Sequence, residues 1–166
     1  MLEFPVISRI RRNHGLEHAT LHILAKRFPR KAMGGHSNPN GFWLIGDLPT
    51  EAVEQAVHEA LERMRRGEHN LAIHPGCGTN YATAGLLAGL AGVVGMWDAG
   101  PRRRDKLERL PLIATLATMA LIVAQPLGLR LQKHITTSGD PGELEIVGVY
   151  PVQRGTMKAH QVITRG

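Results

Sequence analysis

Apolar residues recur every three or four positions in two stretches of the first half of the chain, which is the spacing of one helix face. The first stretch lies between Pro5, which suits the first turn of a helix, and Pro29, which ends one. The second starts at Thr50, a residue able to cap a helix, and ends at Gly67. The pattern therefore predicts two amphipathic helices. The stripe of the first consists of Ile7, Ile10, His14, Glu17, His18, Leu21, Leu24, Ala25 and Phe28.

Strand signals lie on both sides of these helices. The turn-forming residues 37–41 precede residues 42–45, which have strand composition, and together they predict a β-hairpin. Residues 71–73 form a short strand candidate. Near the C-terminus, residues 144–149 and 157–164 have strand composition and are joined by a turn. We expect these C-terminal strands to complete a small antiparallel sheet.

Two long uncharged runs, residues 81–97 and 110–129, interrupt this pattern. At about 1.5 Å per residue the first spans roughly 25 Å, the short end of what crosses a bilayer. One interpretation is a pair of buried core helices, but the rest of the chain is too small to enclose two helices that are apolar on all sides. The runs therefore predict a two-helix transmembrane hairpin, antiparallel because the joining loop, residues 98–109, is short and charged.

The first uncharged run carries small residues at four-residue spacing, which allow another helix to approach closely. We expect membrane lipid to surround the hairpin, and another membrane protein or a second copy of the chain to pack on this stripe. The small residues are Gly85, Ala88, Gly89 and Gly92.

The predicted fold class is therefore α+β: a small soluble domain of two helices and a short antiparallel sheet, with an inserted two-helix transmembrane hairpin. The predicted boundaries are 1–79 for the soluble part with its metal motif, 80–129 for the hairpin, and 130–166 for a helix extension and β-hairpin that complete the soluble domain. The first five residues lack the basic and apolar regions of a signal peptide. We therefore expect a multi-pass protein of the cell membrane whose soluble part faces the cytoplasm.

Charge and cysteine content narrow the function classes. The net charge of +6 is spread evenly along the chain, and only 4% of the residues are aromatic. A nucleic-acid-binding protein usually shows a clustered basic patch or a stacking platform, so we expect no nucleic-acid partner. The single cysteine, Cys77, excludes an intrachain disulfide and fits a reducing compartment.

The segment from His14 to His18 has the order H-x-x-E-H. Histidines four apart on a helix lie on one face with their Cβ atoms about 5–6 Å apart, so both can reach one metal ion. Glu17, on the same side, can be a ligand or the general base that activates a water. These residues fall on the apolar stripe, where burial without partners would cost several kcal/mol. A metal would satisfy them together; the alternative is a hydrogen-bonded cluster of core histidines with Glu17 as counter-ion.

A second candidate segment joins His74 to Cys77 through Pro75 and Gly76. Histidine and cysteine are both good zinc ligands, and a turn of this composition can direct two side chains at one point. The alternative is a plain turn leading into a helix capped by Thr79 or Asn80. Among the other histidines, only His22, four residues after His18, could extend the first motif; the alternative is a flanking polar residue.

The two motifs together resemble those of the YqhQ-like group, bacterial membrane proteins described as predicted metal-dependent enzymes. They carry H-G-x-E-H, as at residues 14–18, and H-P-x-C-G-T-S/N, as at residues 74–80, before a membrane span. A second group of unknown function, common in cyanobacteria and Chloroflexi-type bacteria, resembles the chain through N-H-x-L-E-H and N-P-x-G-F. The resemblance covers about residues 12–130. It implies one metal site built from His14, Glu17, His18, His74 and Cys77.

The YqhQ-like relatives often have arginine where this chain has Gly76, so an anion-holding role is not expected at that position. Our leading functional hypothesis is a zinc-dependent hydrolase, such as a peptidase, at the cytoplasmic face of the membrane. His14 and His18 would hold the metal, His74 or Cys77 would complete three protein ligands, and Glu17 would be the catalytic base. The alternative is a non-enzymatic accessory subunit of a membrane complex with a closed, four-ligand structural zinc site.

Overall fold

The computed structural model describes Leu2 and residues 4–166. Met1 and Glu3, part of the segment inspected for a signal peptide, lie outside the described residues. The chain divides into two compact units, Met1–His74 with Lys133–Gly166, and Pro75–Gln132. The predicted boundaries at 79/80 and 129/130 stay a prediction.

The first unit contains two α-helices and one four-stranded antiparallel sheet of order β1-β2-β4-β3. The α+β class, the two helices and the antiparallel sheet agree with the sequence pattern. A short 3-10 turn, His69–Ala72, follows the second helix, and a π-helical turn, Gln132–Thr136, precedes the C-terminal strands. The elements are α1 (Pro5–Arg27), β1 (Gly34–Asn38), β2 (Gly41–Ile45), α2 (Thr50–Arg65), β3 (Glu145–Arg154) and β4 (Met157–Arg165).

The core lies where α1 and α2 pack together and against one face of the sheet. Its buried side chains are aliphatic apart from Phe42 on β2 and the thioether of Met64, as expected from the apolar stripes of the two helices. Gly41, with φ of +141°, lets β2 pass close to β4, since a Cβ there would lie 2.0 Å from the carbonyl oxygen of Val162. The core residues with no exposure at all are Leu16, Ala19, Leu24, Val53, Ala56, Val57, Ala60, Met64 and Leu144.

The strand predicted over residues 71–73 is wrong. The N–H groups of Leu71 and Ile73 donate to carbonyls three residues earlier, those of Glu68 and Asn70, which forms the 3-10 turn. The carbonyls of this segment bond histidine side chains instead of a neighbouring strand. Short apolar runs are ambiguous in sequence, and here tertiary partners decide the backbone conformation.

The second unit contains α3 (Gly78–Gly95), α4 (Arg103–Glu108) and α5 (Leu110–Leu131). α3 and α5 pack side by side and antiparallel. A Cβ on Gly95, at the end of α3, would lie 2.7 Å from Ile113, near the start of α5. At the other end, a Cβ on Gly128 would lie 2.5 Å from the Asn80 side chain. These glycines bring the two helices into close contact.

The predicted two-helix transmembrane hairpin is wrong. Among the described residues, one helix is long and apolar enough to cross a membrane: Arg103–Thr136, which contains α5 and has a mean hydropathy of 1.9. α3 does not qualify, because its 18 residues include the polar Thr79 and Asn80 in the first turn and several glycines. Only 11% of the apolar window of the longer helix is buried, so it is not a core helix either.

Candidate metal centre

Four histidines lie side by side between α1 and the segment that follows the 3-10 turn. The ring centroids of His14 and His18 are 4.4 Å apart, those of His18 and His74 are 5.6 Å apart, and those of His22 and His74 are 4.8 Å apart. One nitrogen of His14 and one of His18 lie within 4.8 Å of each other. The structure thus places two residues of the first motif, and His22, next to His74 of the second.

Three backbone carbonyls orient the three helix histidines. The Nδ1–H of His14 donates to Thr136 O at 3.0 Å, and the Nδ1–H of His18 donates to Ala72 O at 2.7 Å. The Nε2–H of His22 donates to Ile73 O at 2.8 Å. A carbonyl can only accept, so each of these nitrogens carries the proton. In the neutral ring the opposite nitrogen then keeps its lone pair, which is the arrangement that metal-binding histidines normally have.

A close backbone crossing fixes the carbonyl that orients His14. A Cβ on Gly15 would lie 2.0 Å from the carbonyl oxygen of Ser138, so no side chain fits between α1 and this segment. The N–H of Ser138 donates to Arg11 O, and the guanidinium of Arg11 donates to Thr137 O. The glycine inside the H-G-x-E-H motif therefore permits the contact that places Thr136 against His14.

His74 is held in its neutral form. Burial, and then the charges of His22 and His18, lower the pKa of His74 from 6.5 to about 4. A neutral imidazole is the form that binds a metal. The neutral ring of His74 therefore carries a lone pair of the kind that binds a cation.

Glu17 is buried on the side of α1 that faces the β1–β2 hairpin. Its Oε2 accepts a hydrogen bond from the Ser37 hydroxyl, and a Cβ on Gly35 would lie 2.3 Å from its Oε1. Burial raises the pKa of Glu17, while the Ser37 hydrogen bond and the charges of His14 and His36 partly offset that rise. A buried carboxylate with a raised pKa and a histidine partner fits both predicted roles, base and counter-ion.

Cys77 belongs to the second unit. It is buried and directly precedes α3, which begins at Gly78, so neither Thr79 nor Asn80 caps the helix as the alternative interpretation had it. Only Pro75 and Gly76 separate it from His74, so the two Cα atoms lie within roughly 11 Å of each other. The role of Cys77 as a ligand stays a prediction.

The chemistry of the donor set fits zinc. Neutral imidazoles and a cysteine side chain are ligands that zinc takes, with Zn–N distances of about 2.0–2.1 Å. Sequence patterns did not reveal the three carbonyl acceptors, because backbone groups leave no signature in composition. Spacing had made His22 a candidate to extend the first motif, since residues 14, 18 and 22 repeat every four positions on one face.

Comparisons with known proteins place the chain in a family without an assigned function. An uncharacterized protein of Picosynechococcus sp. (strain ATCC 27264 / PCC 7002 / PR-6) is 40% identical over 139 residues, which cover 78% of this chain and 66% of the relative. No solved structure matches the chain. The expectation of a family of unknown function is confirmed, while the likeness to YqhQ-like proteins stays a prediction. A family model matches residues 9–149, and the chain belongs to that family, described as a domain of unknown function, DUF6391.

Proposed function

We propose that this protein binds a zinc ion through His14 and His18 and is a hydrolase, such as a peptidase, at the cytoplasmic face of a membrane. The observation that carries the proposal is the orientation of the helix histidines by backbone carbonyls. Thr136 and Ala72 accept the Nδ1–H of His14 and His18, which leaves both Nε2 atoms with lone pairs. An ordinary core histidine needs one such partner for its own burial, but three in a row beside a fourth histidine favour a shared ligand.

His74 or Cys77 completes the set of three protein ligands in this proposal. Two observations support His74 as the third ligand: its ring lies 5.6 Å from that of His18, and its pKa is lowered. Cys77 is supported by its type and by the short chain that joins it to His74.

Glu17 is the proposed general base. When bound, zinc would supply Lewis acidity and lower the pKa of a water toward 7. Glu17 would accept the proton, and its raised pKa brings its basicity closer to that required at neutral pH. Ser37 would hold the carboxylate in place through its hydroxyl.

Membrane association rests on the helix Arg103–Thr136, whose apolar side chains are largely exposed. Large apolar surfaces of this kind mark contact with lipid or with a partner. A Cβ added at Gly85, Gly89 or Gly92 would meet nothing within 4 Å. This open face, which also carries Ala88, supports contact with another membrane protein or a second copy.

A structural zinc site in an accessory subunit is the second candidate. His14, His18, His74 and Cys77 together would close the coordination shell, and the adjacency of His74 to His18 favours it as a fourth donor. X-ray absorption at the zinc edge of the purified full chain tests both. Three protein ligands with one further oxygen support the hydrolase, whereas four protein ligands support the structural site. A preparation that binds no zinc when metal is supplied rules out both.

A further inference from the structure

A cavity adjoins the segment that orients the histidines. It has a volume of about 200 Å³ and is formed within the first unit between the 3-10 turn, the loop after the π-helical turn, and Lys133. Usual ligand pockets are about 300–1,000 Å³, so this cavity is suited to a small ligand or to the head of a larger one. Its lining residues are His69, Asn70, Ala72, Ile73, Lys133, Thr137, Gly139 and Asp140.

Tight backbone contacts hold the walls of this cavity. A Cβ on Gly139 would lie 2.6 Å from the Cβ of His69, so the loop packs directly on the 3-10 turn. The N–H of Ser138 donates to the carbonyl oxygen of Arg11, and Ser138 packs directly against Gly15, so this residue is fixed on α1. In addition, Oδ1 of Asp140 accepts the N–H of Gly142, which fixes the far end of the loop. Backbone contacts therefore fix the shape of the cavity.

The charges around the cavity favour an anion. Lys133 lines it and has no ion pair within the part of the chain that the structure describes. Two further cations lie behind the loop: the guanidinium of Arg11 donates to Thr137 O, and that of Arg12 packs against Gly142. His69 and Asn70 also line the cavity, and both residue types can donate hydrogen bonds. Asp140 is the one acidic residue of the lining.

Asp140 decides which anion fits. An ionised carboxylate can only accept hydrogen bonds, so it repels an anion that has no proton to donate. A phosphate group has its second pKa near 6 and therefore keeps a proton part of the time at neutral pH. Its O–H can donate to Asp140 while its other oxygens accept from Lys133. Sulfate carries no such proton.

We propose that this cavity binds a phosphate group, carried by free phosphate, by a phosphate monoester or by a lipid headgroup. The lipid source is suggested by Lys133, which follows the last residue of α5 by two positions, near the end of the helix that could cross a membrane. A ligand here would contact Ala72 and Ile73, the residues whose carbonyls orient His18 and His22. The site does not depend on the metal, and phosphate would be bound by metal-free protein.

Equilibrium dialysis of the purified full chain with inorganic phosphate and with sulfate, in the presence of a chelator, tests the site. We expect phosphate to bind and sulfate to bind at least about tenfold more weakly, as loss of one charge-assisted hydrogen bond implies. Lys133→Met should weaken phosphate binding by a similar factor, while Lys26→Met, an equal change of charge at an exposed position of α1, should not. Circular dichroism would check the fold of each variant.

Asp140→Asn provides a measurement that does not remove a positive charge. The asparagine amide can donate to sulfate, so the preference for phosphate should shrink. Sulfate binding as tightly as phosphate to the unchanged protein, or unchanged phosphate binding in Lys133→Met, would overturn the proposal.

Vesicles of phosphatidylcholine with and without phosphatidic acid distinguish the sources of the phosphate. If Lys133→Met loses binding to phosphatidic acid more than Lys26→Met does, the ligand is a lipid headgroup. If Lys133→Met weakens phosphate binding in dialysis but leaves binding to phosphatidic acid unchanged, the ligand is a soluble phosphate. His14→Ala with His18→Ala should keep phosphate binding, so failure of the zinc proposal and failure of this one can be told apart.

Discussion

The ring of His18 donates its Nδ1–H to the carbonyl oxygen of Ala72 at 2.7 Å, although the two residues are 54 positions apart. Both residues are buried. The bond connects the helix motif to the segment that ends in His74, and in the neutral ring it leaves the lone pair on Nε2 of His18. The metal hypothesis can therefore be tested at the ligands and at the backbone that orients them.

Replacing Gly15 by alanine should disturb the centre without removing a ligand. The new Cβ would lie 2.0 Å from Ser138 O, and that segment carries the carbonyl that orients His14. Overpacking of this kind costs about 1–3 kcal/mol or more. The free energy of unfolding, measured with denaturant, and the affinity for zinc should both fall. Gly85→Ala, a helix position with open space, should instead stabilise the chain by up to about 1 kcal/mol and leave zinc binding unchanged.

The variant Glu17→Gln distinguishes the two possible roles of Glu17, general base and counter-ion. If Glu17 is the base, the variant should retain zinc and lose hydrolysis of any substrate that is found. Loss of zinc from the purified variant would contradict that role.

The same variant should change stability in a pH-dependent way. Since burial raises the pKa of Glu17 above its unfolded value of 4.5, the contribution of the protonated carboxyl is present below pH 4.5 and is lost as the pH rises through the folded pKa. Metal-free Glu17→Gln should therefore gain stability relative to the parent as the pH rises toward neutrality, as measured by urea denaturation. An identical pH profile for the two proteins would show that burial of the charge carries no cost.

Cobalt substitution tests whether the two motifs share one ion. We expect sulfur-to-metal charge-transfer absorption in the near ultraviolet, which Cys77→Ser should abolish. A combined His14→Ala and His18→Ala variant should abolish or greatly weaken it, although neither change touches the thiol. Full survival of the band in that variant would separate the cysteine from the helix histidines. Because the thiol must be deprotonated to bind, cobalt affinity should also decrease at low pH.

His160 should make the metal-free protein sensitive to acid. It is buried, its Nε2 lies 3.1 Å from the Thr50 hydroxyl, and within the described chain its Nδ1 has no hydrogen-bond partner. Burial lowers its pKa below the unfolded value of 6.5. The neutral ring therefore contributes stability that is lost as the pH falls below about 6.5.

His160→Gln, which can still bond Thr50, should flatten the stability profile below pH 6.5 in urea denaturation. His58→Gln, at an exposed position of α2, should leave the profile unchanged. Equal acid sensitivity in all three proteins would assign the effect to other groups.

The helix Arg103–Thr136 should hold the protein in membranes. Met119 lies near its centre and is 60% exposed, so Met119→Arg should shift the protein out of carbonate-washed membranes, because a central arginine costs about 2.5–3.5 kcal/mol in translocon insertion. Met157→Arg, at a methionine of β4 that is 54% exposed, is the control. Complete extraction of the unchanged protein by carbonate would argue against insertion.

The sequence by itself determined the local elements. The spacing of apolar residues defined α1 and α2, and the turn residues 37–41 defined the β1–β2 hairpin, because these signals arise from neighbouring residues in the chain. The same spacing placed His14 and His18 on one helix face and made them ligand candidates. The short, charged loop between the two uncharged runs also predicted that α3 and α5 are antiparallel neighbours.

Only the tertiary structure decided the rest. Residues 71–73 form a 3-10 turn, because their carbonyls are bound by histidines of a distant helix. The helix α3 begins at Gly78 and ends at Gly95, so it includes the polar Thr79 and Asn80 and excludes Met96 and Trp97 of the uncharged run. Its composition therefore removed one of the two predicted spans. The protonated nitrogens of His14, His18 and His22 are set by backbone acceptors up to 122 positions away. Such partners have the same chemistry at every residue, so composition and spacing cannot identify them.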